Sequence, residues 1–325
     1  MRSLVSRPEA FGRVAVLMGG WSSEREVSLI SGRAVHAALR ARGVDAHAVD
    51  ADRRTLLELG GAGFDRAFNV MHGTGGEDGT VAALLDLIGL PYTGSGVLAC
   101  ALAMDKLRSK RLWQAEGLPT PEWRILRNNA EALQAGDALG YPYFVKPAAE
   151  GSSVGIAKVR FATSAVSAFR RAAGEHQLLG RTVIAERFVD GGEYTAGIVG
   201  EQVLPLVRIE PDGEFYDYHA KYISENTRYH CPCGLDGAQE QALQALCLRA
   251  FESLGGRGWG RVDFLLDGAG QPWLLEANLV PGMTSHSLVP RAAAAAGIDF
   301  GALCWTILES TLDPAAPEST PEPGS

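Results

Sequence analysis

Residues 258–290 read GWGRVDFLLDGAGQPWLLEANLVPGMTSHSLVP. Trp259–Leu266 and Trp273–Asn278 are apolar-rich runs of strand length, joined across Asp267–Gln271. Side chains alternate along a strand, so Arg261 and Asp263 share a face of the first run, and Glu276 and Asn278 share a face of the second. If the two pair as a hairpin, the oxygens of Asp263, Glu276 and Asn278 converge. Such a set suits Mg²⁺, which binds through a few protein oxygens and completes its shell with substrate phosphates. The plainer alternative is the solvated face of an edge hairpin. The strongly apolar flanks weigh against it, since a buried acid needs a partner or a metal. The loop from Asn278 to Ser287 leads into a helix near Leu288, with Ser285 or Ser287 as its N-cap. The same helix start is a place to bind an anion.

Upstream of the hairpin, strand signals dominate from Gly191: YTAGIVG, QVLPLVRI and then the hairpin itself, with helices expected at about 237–254 and 287–297. The middle of the chain has another texture. Lys106 to Glu116 is helical and basic, YFVKP (143–147) is a strand, and the Gly-Ser loop at 150–155 leads into a strand over Ile156–Val159. Residues 164–179 are helical and TVIAE (182–186) is a strand. The loop Glu150–Gly155 fits a hairpin turn. It equally fits a phosphate cradle, in which small residues let backbone N–H groups approach closely and Lys146 places a charge over the same oxygens. The first hundred residues alternate strand and helix: RVAVLM (13–18), a helix from Glu26 to Arg42 stopped at Gly43, a strand over Val44–Val49, a strand over 65–71, and a helix over Thr80–Ile88. That is the pattern of an open parallel α/β sheet, in which ligands sit beyond the strand carboxyl ends. The loop Ser22–Ser28 lies there. The last thirteen residues hold four prolines and no aliphatic larger than Ala, the composition of a disordered tail.

Composition bounds the function. The 325 residues carry a net charge of −8, which excludes a general nucleic-acid binder but not a site for a small anion. No apolar run approaches the roughly 18–20 residues of a membrane span, and the N-terminal apolar stretch, broken by Pro8 and Glu9, is not a secretory signal. Five unevenly spaced cysteines do not form a disulfide framework. These points favour a cytoplasmic location. Cys231, Cys233 and His230 are too few for a zinc site without further ligands. No Walker A loop occurs. Gly94-Ser95-Gly96-Val97-Leu98-Ala99 fits the dinucleotide pattern, but lacks a clean preceding strand and a following acid.

Eight stretches, in order, carry a wider resemblance: GGWSSEREVSLISG (19–32), HGTGGEDGT (72–80), LPYTGSG (90–96), MDKLRSK (104–110), VKPAAEGSSVG (145–155), FYDYHAKY (215–222), GWGRVD (258–263) and LLEANLVPGMTSHSLVP (274–290). With them the chain resembles the D-alanine–D-alanine ligases over about residues 12–310. The resemblance implies an ATP-grasp fold: an N-terminal α/β domain (1–103), then two α+β domains (104–189 and 190–312) enclosing ATP, and a tail at 313–325. It implies ATP-dependent joining of two D-alanines through an acyl phosphate, for peptidoglycan synthesis, with Mg²⁺ or Mn²⁺ (two ions) and a homodimer formed through the first domain. By the same resemblance Lys106 and Lys146 contact the ATP phosphates, and Gly151, Ser152, Ser153 and Val154 close over them. Glu186, Arg187, Phe188 and Val189 form the adenine hinge, Glu193 takes the ribose, and Lys221 also belongs to the nucleotide site. Asp263, Glu276 and Asn278 are metal ligands. Glu24 receives the first D-alanine's ammonium, with His72 nearby, and Ser152 and Tyr222 bond with Glu24. Arg261 faces the tetrahedral oxyanion. Gly282, Ser287 and Leu288 bind the second D-alanine. Tyr222 lies in a 214–230 segment that resembles the family's lid, and a Tyr there favours D-alanine over D-lactate. The aliphatic run Leu279–Val280 and His219 depart from the family pattern. Other readings of the chain are a ligase using D-lactate or D-serine, a nucleotide-binding regulator without activity, and a dehydrogenase.

Overall fold

The computed structural model describes residues 7–151, 155–174, 182–213 and 226–312. Three sheets organise it. The first is parallel, in the order β2-β1-β3, with β1 (Arg13–Met18) between β2 (Asp45–Asp50) and β3 (Arg66–Asn69). Five of the six β1 residues are buried, as an apolar strand covered on both faces must be. Helix α1 (Arg25–Ala41) packs against it. Contact is close at Gly32, where a Cβ would stand 2.4 Å from the Cβ of Met18. Helices α2 (Arg53–Glu58) and α3 (Thr80–Leu87) complete this layer.

The second sheet is antiparallel, in the order β4-β7-β5-β6: β4 (Trp123–Leu126), β5 (Tyr143–Pro147), β6 (Ala157–Val159) and β7 (Val183–Arg187). Two helices, α6 (Asn129–Leu139) and α7 (Ala162–Ala173), cover one face of it. The third sheet has six antiparallel strands in the order β11-β10-β8-β12-β13, with β9 paired to β8. Its strands are β8 (Gly191–Val199), β9 (Gln202–Val203), β10 (Val207–Glu210), β11 (Arg228–His230), β12 (Trp259–Asp267) and β13 (Pro272–Asn278). Helices α4 (Val97–Met104), α5 (Lys106–Ala115), α8 (Gly237–Ser253), α9 (Leu288–Ala295) and α10 (Phe300–Glu309) join the layers.

Cores cross these sheet boundaries. Phe11, Val35 and Phe68 share one cluster with Trp259, Met283, Leu303 and Trp305. Ala99, Cys100 and Ala103 of α4 pack with Leu243, Cys247 and Phe251 of α8. No single helix among the described residues is long and apolar enough to cross a membrane.

Several boundaries differ from expectation for local reasons. QVLPLVRI is not one strand: Pro205 lies in the break between β9 and β10, where it owes no hydrogen bond to a ladder. The helix expected at 164–179 begins two residues earlier and ends at Ala173, with Gly174 at φ +73° as its C-cap. The rest of that stretch, 175–181, lies outside the described residues, as does the proline-rich tail. The GxGxxA loop does start a helix, α4, but what precedes it is only an isolated bridge from Tyr92 to Ala67. That loop is tied to the segment just before β12: Ser95 Oγ donates to Arg257 O (3.2 Å) and accepts from Arg257 N (2.9 Å).

Candidate active site

The hairpin pairs in the register that brings its four polar residues together: Arg261 opposes Asn278 and Asp263 opposes Glu276. A β-bulge follows directly between Asp263 and Phe264. Bulges re-aim side chains and recur beside active sites. Arg261 holds Asp263 in a bidentate pair, Nε to Oδ1 and Nη2 to Oδ2, both 2.8 Å. On the far side, Thr195 Oγ1 of β8 donates to Asp263 Oδ1 (2.5 Å). Glu276 Oε2 pairs with Lys106 Nζ at 2.9 Å, and that ammonium also donates to the backbone oxygen of Glu150 (2.8 Å). Burial alone would lower the Lys106 pKa; the Glu276 carboxylate outweighs it and raises the value above the usual lysine range.

The donor set fits a divalent cation. Two carboxylates and the Asn278 amide face one another across a strand pair, and positive charge already sits at both carboxylates as Arg261 and Lys106. Asn278 Oδ1 now accepts from Val280 N (3.1 Å).

A cleft of about 990 Å³ opens over the hairpin. Glu24, His72, Lys106, Gly151, Arg261, Glu276, Asn278, Gly282, Ser287 and Leu288 all line it, although they come from all three expected segments of the chain. Glu24 sits at the N-terminus of α1, in a pocket that only glycine leaves open. A Cβ on Gly73 or Gly151 would stand 2.6 or 2.8 Å from its Oε2. Ser287 is the N-cap residue of α9, yet its hydroxyl makes no capping bond. It accepts from Thr284 N (2.9 Å) and bonds the Thr284 hydroxyl instead, which braces the 282–287 turn.

His72 lines the cleft but is buried, and it ties the first layer to the Leu279–Thr284 loop. Its Nδ1 lies 2.9 Å from Val280 O, and a carbonyl only accepts, so Nδ1 carries the proton. Nε2 then accepts from Ser31 Oγ (3.0 Å), which itself accepts from Met283 N (3.2 Å). His72 and Ser31 thereby fix the backbone on either side of Gly282.

The nucleotide set divides. Lys146 of β5 and Glu186 of β7 form a buried pair at 2.7 Å behind the cleft wall, and the other oxygen of Glu186 lies 2.5 Å from Lys110 Nζ. Burial would raise the Glu186 pKa; the two lysines overcome it and hold the carboxyl below its usual range. The carboxylate is thus anchored from two sides. Further along, Arg187 stacks over Trp273, Phe188 lies 4.1 Å below Lys158 Nζ, and Val189 is buried. Glu193 lies in β8 opposite Leu265. Neither Glu193 nor Asp263 lines the cleft. Ser152, Ser153, Val154, His219, Lys221 and Tyr222 lie outside the described residues.

Lys110, Thr195 and Ser31 were not picked out from sequence. For Lys110 a signal existed: it stands four residues after Lys106, on the same helix face, at the end of the quoted stretch MDKLRSK.

Residues 58–95 match the family model "D-ala D-ala ligase N-terminus" and residues 112–309 match "D-ala D-ala ligase C-terminus". The D-alanine–D-alanine ligase of Methylococcus capsulatus is 52% identical over 312 residues, covering 96% of this chain and all of that protein. The crystal structure of the D-alanine–D-alanine ligase from Bacillus anthracis superposes with a TM-score of 0.80 at 33% identity, over 92% of this chain and 97% of that one. A D-alanine–D-alanine ligase from Bacillus anthracis complexed with ATP gives 0.76 at 30%, again over 92% of this chain and 97% of that one. The VanG D-Ala:D-Ser ligase from Enterococcus faecalis gives 0.79 at 28%, over 92% and 99%. On family models, sequence and fold alike, the chain belongs to the D-alanine–D-alanine ligases.

Proposed function

We propose that the cleft joins two D-alanine molecules, using ATP, to give D-alanyl-D-alanine, ADP and phosphate for peptidoglycan synthesis. The observation that carries this reading is the gathering of Glu24, Arg261, Glu276 and Ser287 on one cleft in a chain 52% identical to a D-alanine–D-alanine ligase. A carboxylate oxygen of the first D-alanine attacks the γ-phosphorus, and the bond to the ADP oxygen breaks. The amine of the second D-alanine then attacks the activated carbonyl carbon, and phosphate leaves with the former carboxylate oxygen.

Little of this calls for a protein nucleophile; it calls for alignment and charge neutralisation. Glu24 takes the ammonium of the first D-alanine and fixes which carboxylate is presented. Gly282 and Ser287, braced through Thr284 and His72, seat the second. By family resemblance Arg261 faces the reacting carbon, where a positioned cation would stabilise the developing oxyanion. Lys106 and Lys146 supply positive charge for the phosphates. Mg²⁺ or Mn²⁺ held by Asp263, Glu276 and Asn278 would neutralise phosphoryl oxygens and release Lys106 from Glu276. By family resemblance, Tyr222 acts with Ser152 and Glu24 and selects the amine acceptor. A homodimer through the first domain and a cytoplasmic location belong to the same reading.

The test is incubation with ATP, Mg²⁺ and D-alanine, with phosphate and dipeptide measured together. D-Alanine-dependent phosphate in step with D-alanyl-D-alanine is expected. Phosphate release that requires D-lactate or D-serine as acceptor would move the chain to the other ligase class, and none at all would contradict the proposal.

A further inference from the structure

The buried cluster behind the cleft contains one lysine that the reaction does not use. Lys110 is wholly buried on α5, with its Nζ 2.5 Å from Glu186 Oε2, 2.6 Å from Thr120 Oγ1 and 3.4 Å from Leu274 O. It therefore touches β7 of the second sheet and β13 of the third, and lies on the seam between them. The Thr120 hydroxyl donates onward to the same Leu274 carbonyl (2.8 Å), two residues before Glu276. One helical turn earlier, Lys106 pairs with Glu276. The two lysines of α5 thus address the two carboxylates of the cleft wall, one in each sheet.

Charge makes the arrangement unusual. Lys110 and Lys146 share the one buried carboxylate of Glu186, while Lys106 pairs with Glu276. A purely structural pair would be cheaper with one lysine per carboxylate, because an unbalanced buried charge is strongly disfavoured. Burial, with help from the repulsion of Lys146 and Lys106, pulls the Lys110 pKa down to about 8 despite Glu186. A surplus cation held in that way is compensated when an anion arrives.

We infer that Lys110 is a positioning residue of the nucleotide site: by sharing Glu186 it keeps Lys146 in place without neutralising it, so that the wall meets the phosphates with one positive charge to spare. The inference rests on Lys146 contacting ATP, as proposed above. Without Lys110, Glu186 would pair with Lys146 alone, and the ammonium would face its carboxylate rather than the ligand.

The experiment measures the ADP dissociation constant by calorimetry, and KM for ATP and for D-alanine, in Lys110→Met, Lys146→Met and the double variant. Lys110→Met is expected to weaken ADP and raise the ATP KM about tenfold, with D-alanine KM values within about twofold. The double variant should bind no more weakly than Lys146→Met, since Lys110 acts through Lys146. A Lys110→Met protein with a lower Tm but unchanged ADP binding would overturn the inference while leaving the nucleotide site standing. Unchanged binding in Lys146→Met would overturn the site assignment, and the inference with it. Should Lys110→Met fail to fold, Thr120→Val, near-isosteric and lacking the hydroxyl, is expected to shift ADP binding about threefold in the same direction; no shift would again overturn the inference.

Discussion

Two carboxylate–cation clusters, one lining the cleft and one buried behind its wall, are built from the same residue types and given different work. Behind the wall, Glu186 is 3% exposed and both its oxygens are taken by lysines. At the front, the Glu276 side chain is 26% exposed, has Lys106 on one oxygen and lines the cavity. Water access separates them. A dry pair cannot be exchanged, because removing either member strands a charge in low dielectric, so it serves as scaffold. A wet pair at a cavity mouth is worth little by itself and can be traded for a ligand. Lys106 is in this sense a placeholder on Glu276, a carboxylate that a metal would claim.

Each side of this contrast can be attacked. The largest effect should come from chelating divalent metal with EDTA, which we expect to lower turnover by about 10³-fold or more, restored by Mg²⁺. Full activity in chelator would break the front cluster's assignment. Next, Arg261→Met should lower kcat by about 10²–10³-fold, the usual effect of losing one oxyanion-directed donor. Arg261→Lys should not rescue it, because the pairing with Asp263 is bidentate.

Stability then distinguishes front from back. Glu186→Ala leaves two buried ammonium groups without a counter-ion and should cost about 3–5 kcal/mol, read as a Tm lower by about 10 °C. Glu276→Ala should change stability by about 1 kcal/mol or less while abolishing activity. Equal losses of Tm in the two variants would erase the distinction. The smallest effect is expected at His72→Gln, which places its amide at the Nε2 position and loses the bond from Nδ1 to Val280 O; it should raise the D-alanine KM about five- to tenfold with ATP KM unchanged.

The sequence shows the front cluster far better than the back. A strand alternates with period two, so Arg261, Asp263, Glu276 and Asn278 could be placed on one face of a hairpin before any coordinates, and the register agrees. Glu186 and Lys110 meet only because α5 folds beneath the second sheet, and nothing local in either stretch encodes that approach. The same holds for His72, whose partner Val280 lies far along the chain. Several helices were missed although local signals were present. Asn128 and Glu131 form an N-terminal capping pair at the start of α6, with Glu131 N donating to Asn128 Oδ1. Asp299 caps α10 in the same way, accepting from Ala302 N. Helix α10 carries almost no polar face, since it is buried in the core between the first and third layers, and so it has no amphipathic period to read.

The central claim is that this cleft activates the carboxylate of D-alanine by phosphorylation before the amine attacks. The most direct measurement uses D-alanine labelled with ¹⁸O in its carboxylate, with ATP and Mg²⁺, and mass analysis of the phosphate released. If the carboxylate oxygen forms the bond to phosphorus and leaves with it, each phosphate carries one ¹⁸O for each D-alanyl-D-alanine formed. Unlabelled phosphate alongside dipeptide would contradict the account.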